Sequence, residues 1–309
     1  MPPWHTPPRP EPGNRLEHAQ HGDGHRIGHG RFWQQRQPQP AAEAPTPPAP
    51  TRLELPATMS FPEGVAYNAA GGVLYTGSAE DGTLIRVNAS TGVAEVVPPA
   101  GRLMSAGTTT FPGPLGMEVD GSNRLRVAGG FTGKVWVVNT TDGAVVKDAT
   151  VPTTPRSLIN DVALVGTTGY FTDTFVPTLW RLSAEGGAFG NLEPWLDLHG
   201  TPIEYGAEGP NLNGITVTPD GRTLIVVHMG KGLLFKIDIA TKAVSAIDTA
   251  GADLTTADGL VLDGDTLYVV RQGAQEIVTV RLNAERMAAE CFAAALERES
   301  VQRGAGSQS

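Results

Sequence analysis

The sequence predicts an all-β fold, a β-propeller of the six-bladed type. Three observations predict it. A pattern of short apolar strands recurs five times, about every 50 residues. Glycine is very frequent, at 38 of 309 residues, as many tight turns require. Asn-Gly and Asp-Gly pairs punctuate the apolar runs, as strand-and-turn segments do.

The first strand of each repeat lies at 62–67, 114–119, 159–164, 212–217 and 257–262. Second strands follow at 72–77, 124–128, 169–173, 223–227 and 266–270, and third strands at 83–87, 134–138, 178–182, 233–237 and 276–280. Fourth strands are legible in the first four units, for example Val93–Val97 and Ala243–Ile247. Four antiparallel strands per unit form a twisted sheet that cannot bury both faces alone, so such blades stack around a channel. A β-sandwich does not require the same strand order five times. A sixth blade is absent or degenerate, because nothing after Val280 reads as another strand. Residues 52–56 are expected to lend one outer strand to ring closure.

Three regions follow. Residues 1–52 form a Pro- and His-rich tail, too poor in aliphatic residues to offset ordering entropy, and are expected to be disordered. Residues 53–282 form the propeller. Residues 283–309 begin with Asn283, a helix-capping residue, followed by an Ala/Glu-rich run that predicts a C-terminal helix and a frayed end. Cys291 is the only cysteine, so internal disulfides and multi-cysteine metal centres are excluded. The net charge of −9 argues against nucleic acid as a partner. No apolar run is long enough for a membrane span and no secretion signal is evident, so a cytoplasmic location is the default, with secretion open if the start lies upstream. The oligomeric state is not legible.

One repeat position holds Glu63, Leu115, Asn160, Asn213 and Asp258. In a propeller the first strand is innermost, so equivalent positions point at one axis. Four of the five carry side-chain oxygens, and two are carboxylates. Buried carboxylates need compensation. All-oxygen ligation selects a hard cation: calcium first, with magnesium and manganese as alternatives. Asp120-Gly121 and Asp220-Gly221 read as ordinary turns.

These residues resemble the senescence-marker-protein/gluconolactonase family, the regucalcin-like propellers, over about residues 57–282. The likeness rests on Glu63-Gly64, Asn160-Asp161, Asn213-Gly214 with Pro219-Asp220-Gly221, and Asp258-Gly259, in that order. It implies that Glu63, Asn213 and Asp258 hold one divalent cation. It also implies that Asn160 contacts substrate or the metal through water, and that Asp258 is the general base. The implied function is metal-dependent hydrolysis of a small-molecule lactone or ester. Where relatives carry an arginine two residues before the Asn-Asp pair, this chain has Leu158, with Arg156 nearby. Two alternatives stay open: a non-catalytic binding or scaffold propeller, and a strictosidine-synthase-like or paraoxonase-like propeller with another substrate. Asp173, His228 and the loop 199–208 are further candidates for the channel mouth. His18, His21, His25 and His29 read as incidental tail composition. Trp136 and Trp180 read as blade packing.

Overall fold

The computed structural model describes residues 52–283 except 58, 98–102, 105–110, 112, 153–155 and 208, together with the backbone of 289–295. These residues belong to one compact unit, Pro47–Ser309. The tail, the end beyond residue 295 and the side chain of Cys291 lie outside the described residues.

Five four-stranded antiparallel sheets follow one another along the chain. Blade 1 comprises β1 (Pro62–Asn68), β2 (Val73–Ser78), β3 (Leu84–Asn88) and β4 (Ala94–Val96). Blade 2 comprises β5 (Met117–Val119), β6 (Arg124–Ala128), β7 (Lys134–Asn139) and β8 (Val145–Thr150). Blade 3 comprises β9 (Ile159–Val165), β10 (Thr168–Asp173), β11 (Thr178–Leu182) and β14 (Glu193–Asp197), with the small ribbon β12 (Ala184–Glu185) and β13 (Ala188–Phe189) between its outer two strands. Blade 4 comprises β15 (Leu212–Val217), β16 (Thr223–His228), β17 (Leu233–Asp238) and β18 (Val244–Ile247). Blade 5 comprises β19 (Ala257–Asp263), β20 (Thr266–Arg271), β21 (Glu276–Leu282) and β22 (Ala289–Ala295).

Strand periodicity explains the stacking. Successive side chains of a strand point to opposite faces. Along β16, Ile225 and Val227 therefore enter the core between blades 4 and 5, while Leu224 and Val226 enter the core between blades 3 and 4. Tyr170 and Phe171 of β10 divide in the same way between the blade 3–4 and blade 2–3 cores. Trp136 packs between blades 1 and 2, and Trp180 between blades 2 and 3, as expected from their place in third strands. Four hydrophobic cores thus join five blades. Among the described residues no such core joins blade 5 to blade 1.

Among the described residues the blades number five, as counted in the sequence, and the six-bladed type is not shown. Two expectations are corrected here. Residues 52–56 form no strand. Residues 289–295 are not helical: β22 pairs with β21 in continuous antiparallel register from Leu282↔Ala289 to Glu276↔Ala295. Helix propensity separates ordinary residues by only about 0.7 kcal/mol each. The free edge of β21 offers a full row of backbone hydrogen-bond partners, and satisfying that row outweighs the local preference.

Candidate active site in the channel

Four of the five inner strands pair irregularly at the shared repeat position, β5 being the exception. The register of β1 against β2 shifts between Pro62 and Val65, that of β15 against β16 between Leu212 and Ile215, and that of β19 against β20 between Ala257 and Leu260. The β9–β10 pair shifts between Phe171 and Asp173, opposite Asn160 and Asp161. Bulges re-aim side chains and recur beside functional sites. Here they turn Glu63, Asn160, Asn213 and Asp258 into one cavity of about 480 Å³. The glycine that follows three of these residues has a steric reason in two blades. A Cβ at Gly64 would strike the Leu115 carbonyl, and one at Gly214 the Asp258 carbonyl.

The cavity also holds Glu118 and Asp161, so four carboxylates line it with two carboxamides and, among the described residues, no Lys, Arg or His. Asp161 accepts from the backbone N–H of Val162 (2.8 Å) and of Ile215 (3.1 Å), which ties blade 3 to blade 4. Glu118 accepts from the Leu164 N–H (2.8 Å) and ties blade 2 to blade 3. Glu118 stands directly opposite Arg126 on β6. The Arg126 guanidinium nevertheless goes to Asp120 (3.0 Å), leaving Glu118 to the channel. The Asn160 amide nitrogen donates to the Thr174 hydroxyl (2.9 Å), and the Asn213 amide nitrogen to Met229 Sδ (3.3 Å).

The electrostatics follow from this crowding. Burial, opposed by the Leu164 N–H and reinforced by the charge of Asp161, pushes Glu118 up to about 8. Burial pushes Asp161 up to about 7, against its two backbone donors and with the charge of Asp258. Burial likewise raises Asp258, which a hydrogen bond from Asn213 partly offsets. Glu63 is held well above the usual carboxylate range by lost hydration and by the charges of Asp258 and Asp161. Glu63 nevertheless keeps part of its surface exposed to solvent. A carboxyl raised in the fold binds more protons than the unfolded chain. Its stabilising contribution is full below the unfolded value and is lost as pH rises through the folded one. With divalent cations chelated, the melting temperature is therefore expected to fall as pH rises from about 5 to about 8.5, and Glu118→Gln to flatten that fall. An unchanged slope in the variant would remove Glu118 from the account.

Among the described residues no three His, Cys, Asp or Glu groups converge as a metal cluster. The donor chemistry that could hold a cation is therefore mixed: the carboxylates of Glu63 and Asp258 with the carboxamide oxygens of Asn160 and Asn213. Such a set fits a hard cation.

The other candidates do not reach the cavity. Asp173 is fully buried as a hydrogen-bond acceptor. It takes the N–H groups of Leu158 (3.1 Å), Phe175 (3.1 Å) and Val176 (3.0 Å), the indole N–H of Trp180 (3.2 Å) and the hydroxyl of Ser157. His228 contacts the Glu204 carbonyl through Nε2 (3.1 Å) and accepts from the Lys231 N–H through Nδ1 (3.2 Å). The Tyr205 hydroxyl donates to the Asp173 carbonyl (2.6 Å). Together these groups pin the 199–211 loop. Arg156 lies over the Phe175 ring, 5.1 Å from its centroid. Asp120 and Asp220 serve their turns, accepting from Ser122 (2.9 Å) and Arg222 (3.1 Å) N–H groups.

Glu118 is the residue that the repeat alignment missed. It lies three places after Leu115, at the position that holds Ala66, Ala163, Thr216 and Val261 in the other blades. The one visible signal was an acidic residue where the others are apolar or neutral.

Solved structures share this architecture. The chain is similar to virginiamycin B lyase from Staphylococcus aureus, with a TM-score of 0.54 and 15% identity over 79% of this chain and 73% of that one. A complex of a catalytically inactive form of that lyase with quinupristin gives a TM-score of 0.56 at 14% identity, over 80% and 74% of the two chains. The β-propeller domain of Cps50 (Swd1) from Myceliophteria thermophila gives 0.55 at 15% identity, over 80% and 75%. The chain is a β-propeller. At such identities the likeness carries the fold and not the activity. No family model and no curated protein matches the sequence. No helix among the described residues of this propeller is long and apolar enough to cross a membrane.

Proposed function

We propose that this propeller is a hydrolase of a small lactone or ester, assisted by one divalent cation, calcium in the first instance. The observation that carries the reading is the convergence of two carboxylates and two carboxamides from four blades in one cavity whose described lining has no cationic side chain. Glu63, Asn213 and Asp258 would hold the cation, with Asn160 beside them. When bound, the cation supplies charge that polarises the substrate carbonyl and stabilises the oxyanion. Asp258 accepts a proton from the attacking water and returns it to the departing alkoxide, so that water and ester become acid and alcohol. Asn160, held by Thr174, orients the substrate. Glu118 and Asp161 line the cavity beside them.

A second reading, a non-catalytic binding propeller, draws on the exposed apolar faces of blades 1 and 5. Thermal unfolding with calcium, magnesium or excess chelator separates the two. A ligand at 100 times its Kd stabilises by about 2.7 kcal/mol, so saturating calcium should raise the melting temperature by several degrees. Glu63→Gln with Asp258→Asn should abolish that rise. A folded protein indifferent to every divalent cation would remove the basis for the hydrolase.

A further inference from the structure

The cavity does not end at the carboxylates. It continues between the two blades that share no core. Blade 1 contributes Val65, Tyr67 and Leu74, and blade 5 contributes Val261 and Val270. Their register explains the exposure. Tyr67 pairs with Leu74 across β1 and β2, and Val261 with Tyr268 across β19 and β20, so each pair shares one face. In both blades the opposite face is spent on the neighbouring core, through Ala66 and Tyr75 in blade 1 and through Leu260 and Val269 in blade 5. At the position of Val261, blade 3 places Ala163, 1% exposed against blade 4, whereas Val261 is 59% exposed. Val65 and Tyr67, across the slot, are 65% and 55% exposed. The result is an amphipathic cavity, lined by carboxylates and carboxamides of the inner strands and by aliphatic and aromatic walls in blades 1 and 5.

Three physical arguments say what fills it. The volume of about 480 Å³ falls within the range of small-ligand pockets, roughly 300–1,000 Å³. Among the described residues the lining has no cationic side chain to pair with an anionic ligand. A polyhydroxylated ligand would set its hydroxyls against Leu74, Val261 and Val270, where they lose water without gaining partners. An alkyl chain in the same place gains by leaving water.

We infer that the cavity takes an uncharged lactone or ester bearing an apolar tail, with the ester group at Glu63 and Asp258 and the tail in the slot between blades 5 and 1. The inference rests on the hydrolase reading for the ester group, and on the slot alone for the tail. The two can fail separately. The probe is therefore a series of γ-lactams, stable to hydrolysis, with alkyl tails from butyl to decyl, titrated calorimetrically into the full-length protein with calcium present. Affinity should rise about fourfold per added methylene until the slot is filled. Val261→Gln, a change at an exposed position, should reduce that increment without unfolding the protein. Turnover of the matching lactones is measured in parallel. Lactams that bind by tail length while no lactone is hydrolysed would leave the tail site standing and sink the hydrolase. Lactones hydrolysed at one rate whatever their tail would sink the tail site alone. Affinity that is flat along the series, no binding at all, or tighter binding of a polyhydroxylated lactam would overturn the inference. Flat affinity with a concentration-dependent dimer in sedimentation would assign the slot to a second copy of the chain.

Discussion

Asp173→Ala is expected to lower the unfolding free energy by about 3–5 kcal/mol. The carboxylate is fully buried and accepts from three backbone N–H groups, the Trp180 indole and the Ser157 hydroxyl. Each buried donor left without an acceptor costs about 1–3 kcal/mol, and partial relaxation keeps the total below the sum. The donors lie on both sides of Asp173 in the chain, from Ser157 to Trp180, so the loop into blade 3 and the turn between β10 and β11 would loosen together. Urea denaturation of the variant, with an unchanged dependence on urea concentration, reads the loss as a lower midpoint. A change under about 1 kcal/mol would mean that these contacts are replaced by water at little cost.

Asp258→Asn has the opposite signature for stability and a large effect on turnover. If Asp258 is the general base, hydrolysis should fall by about 10²–10⁴-fold. Asp258 is only half-buried and the amide is nearly isosteric, so the fold should persist. Asp258 also repels Glu63 and Asp161 through space. Removing its charge should therefore raise the melting temperature of the chelated protein while weakening the response to calcium. Steady-state kinetics and paired melts with calcium and with chelator measure both. Full activity in the Asn variant would end the proposed role. A drop in chelated stability would show that Asp258 serves the fold instead.

Much of the architecture was legible because it is periodic. Glu63, Asn160, Asn213 and Asp258 recur at equivalent places in strands that repeat, and a repeat in sequence becomes a repeat in space when each unit builds the same sheet. The structure puts all four in one cavity. Their chemistry could be read from residue type: two acids, two amides and no imidazole or thiol. Glu118 was not legible at the shared position. It reaches the cavity from another place in its strand, and its availability depends on Arg126 turning to Asp120. Asp173 and His228 were expected near the mouth, and both are spent on holding loops.

The sequence by itself determined the propeller class, the strands up to Val280 and the oxygen donors, because these depend on alternation, turn residues and side-chain identity within short windows. The tertiary structure decided the rest. It made a strand of residues 289–295, since the open edge of β21 outweighs local helix preference. Among the described residues it left blades 1 and 5 without a common core, since their surfaces are far apart in the chain and no local pattern pairs them. It set the carboxylate equilibria, since those follow from burial and from charges brought close only when the blades assemble.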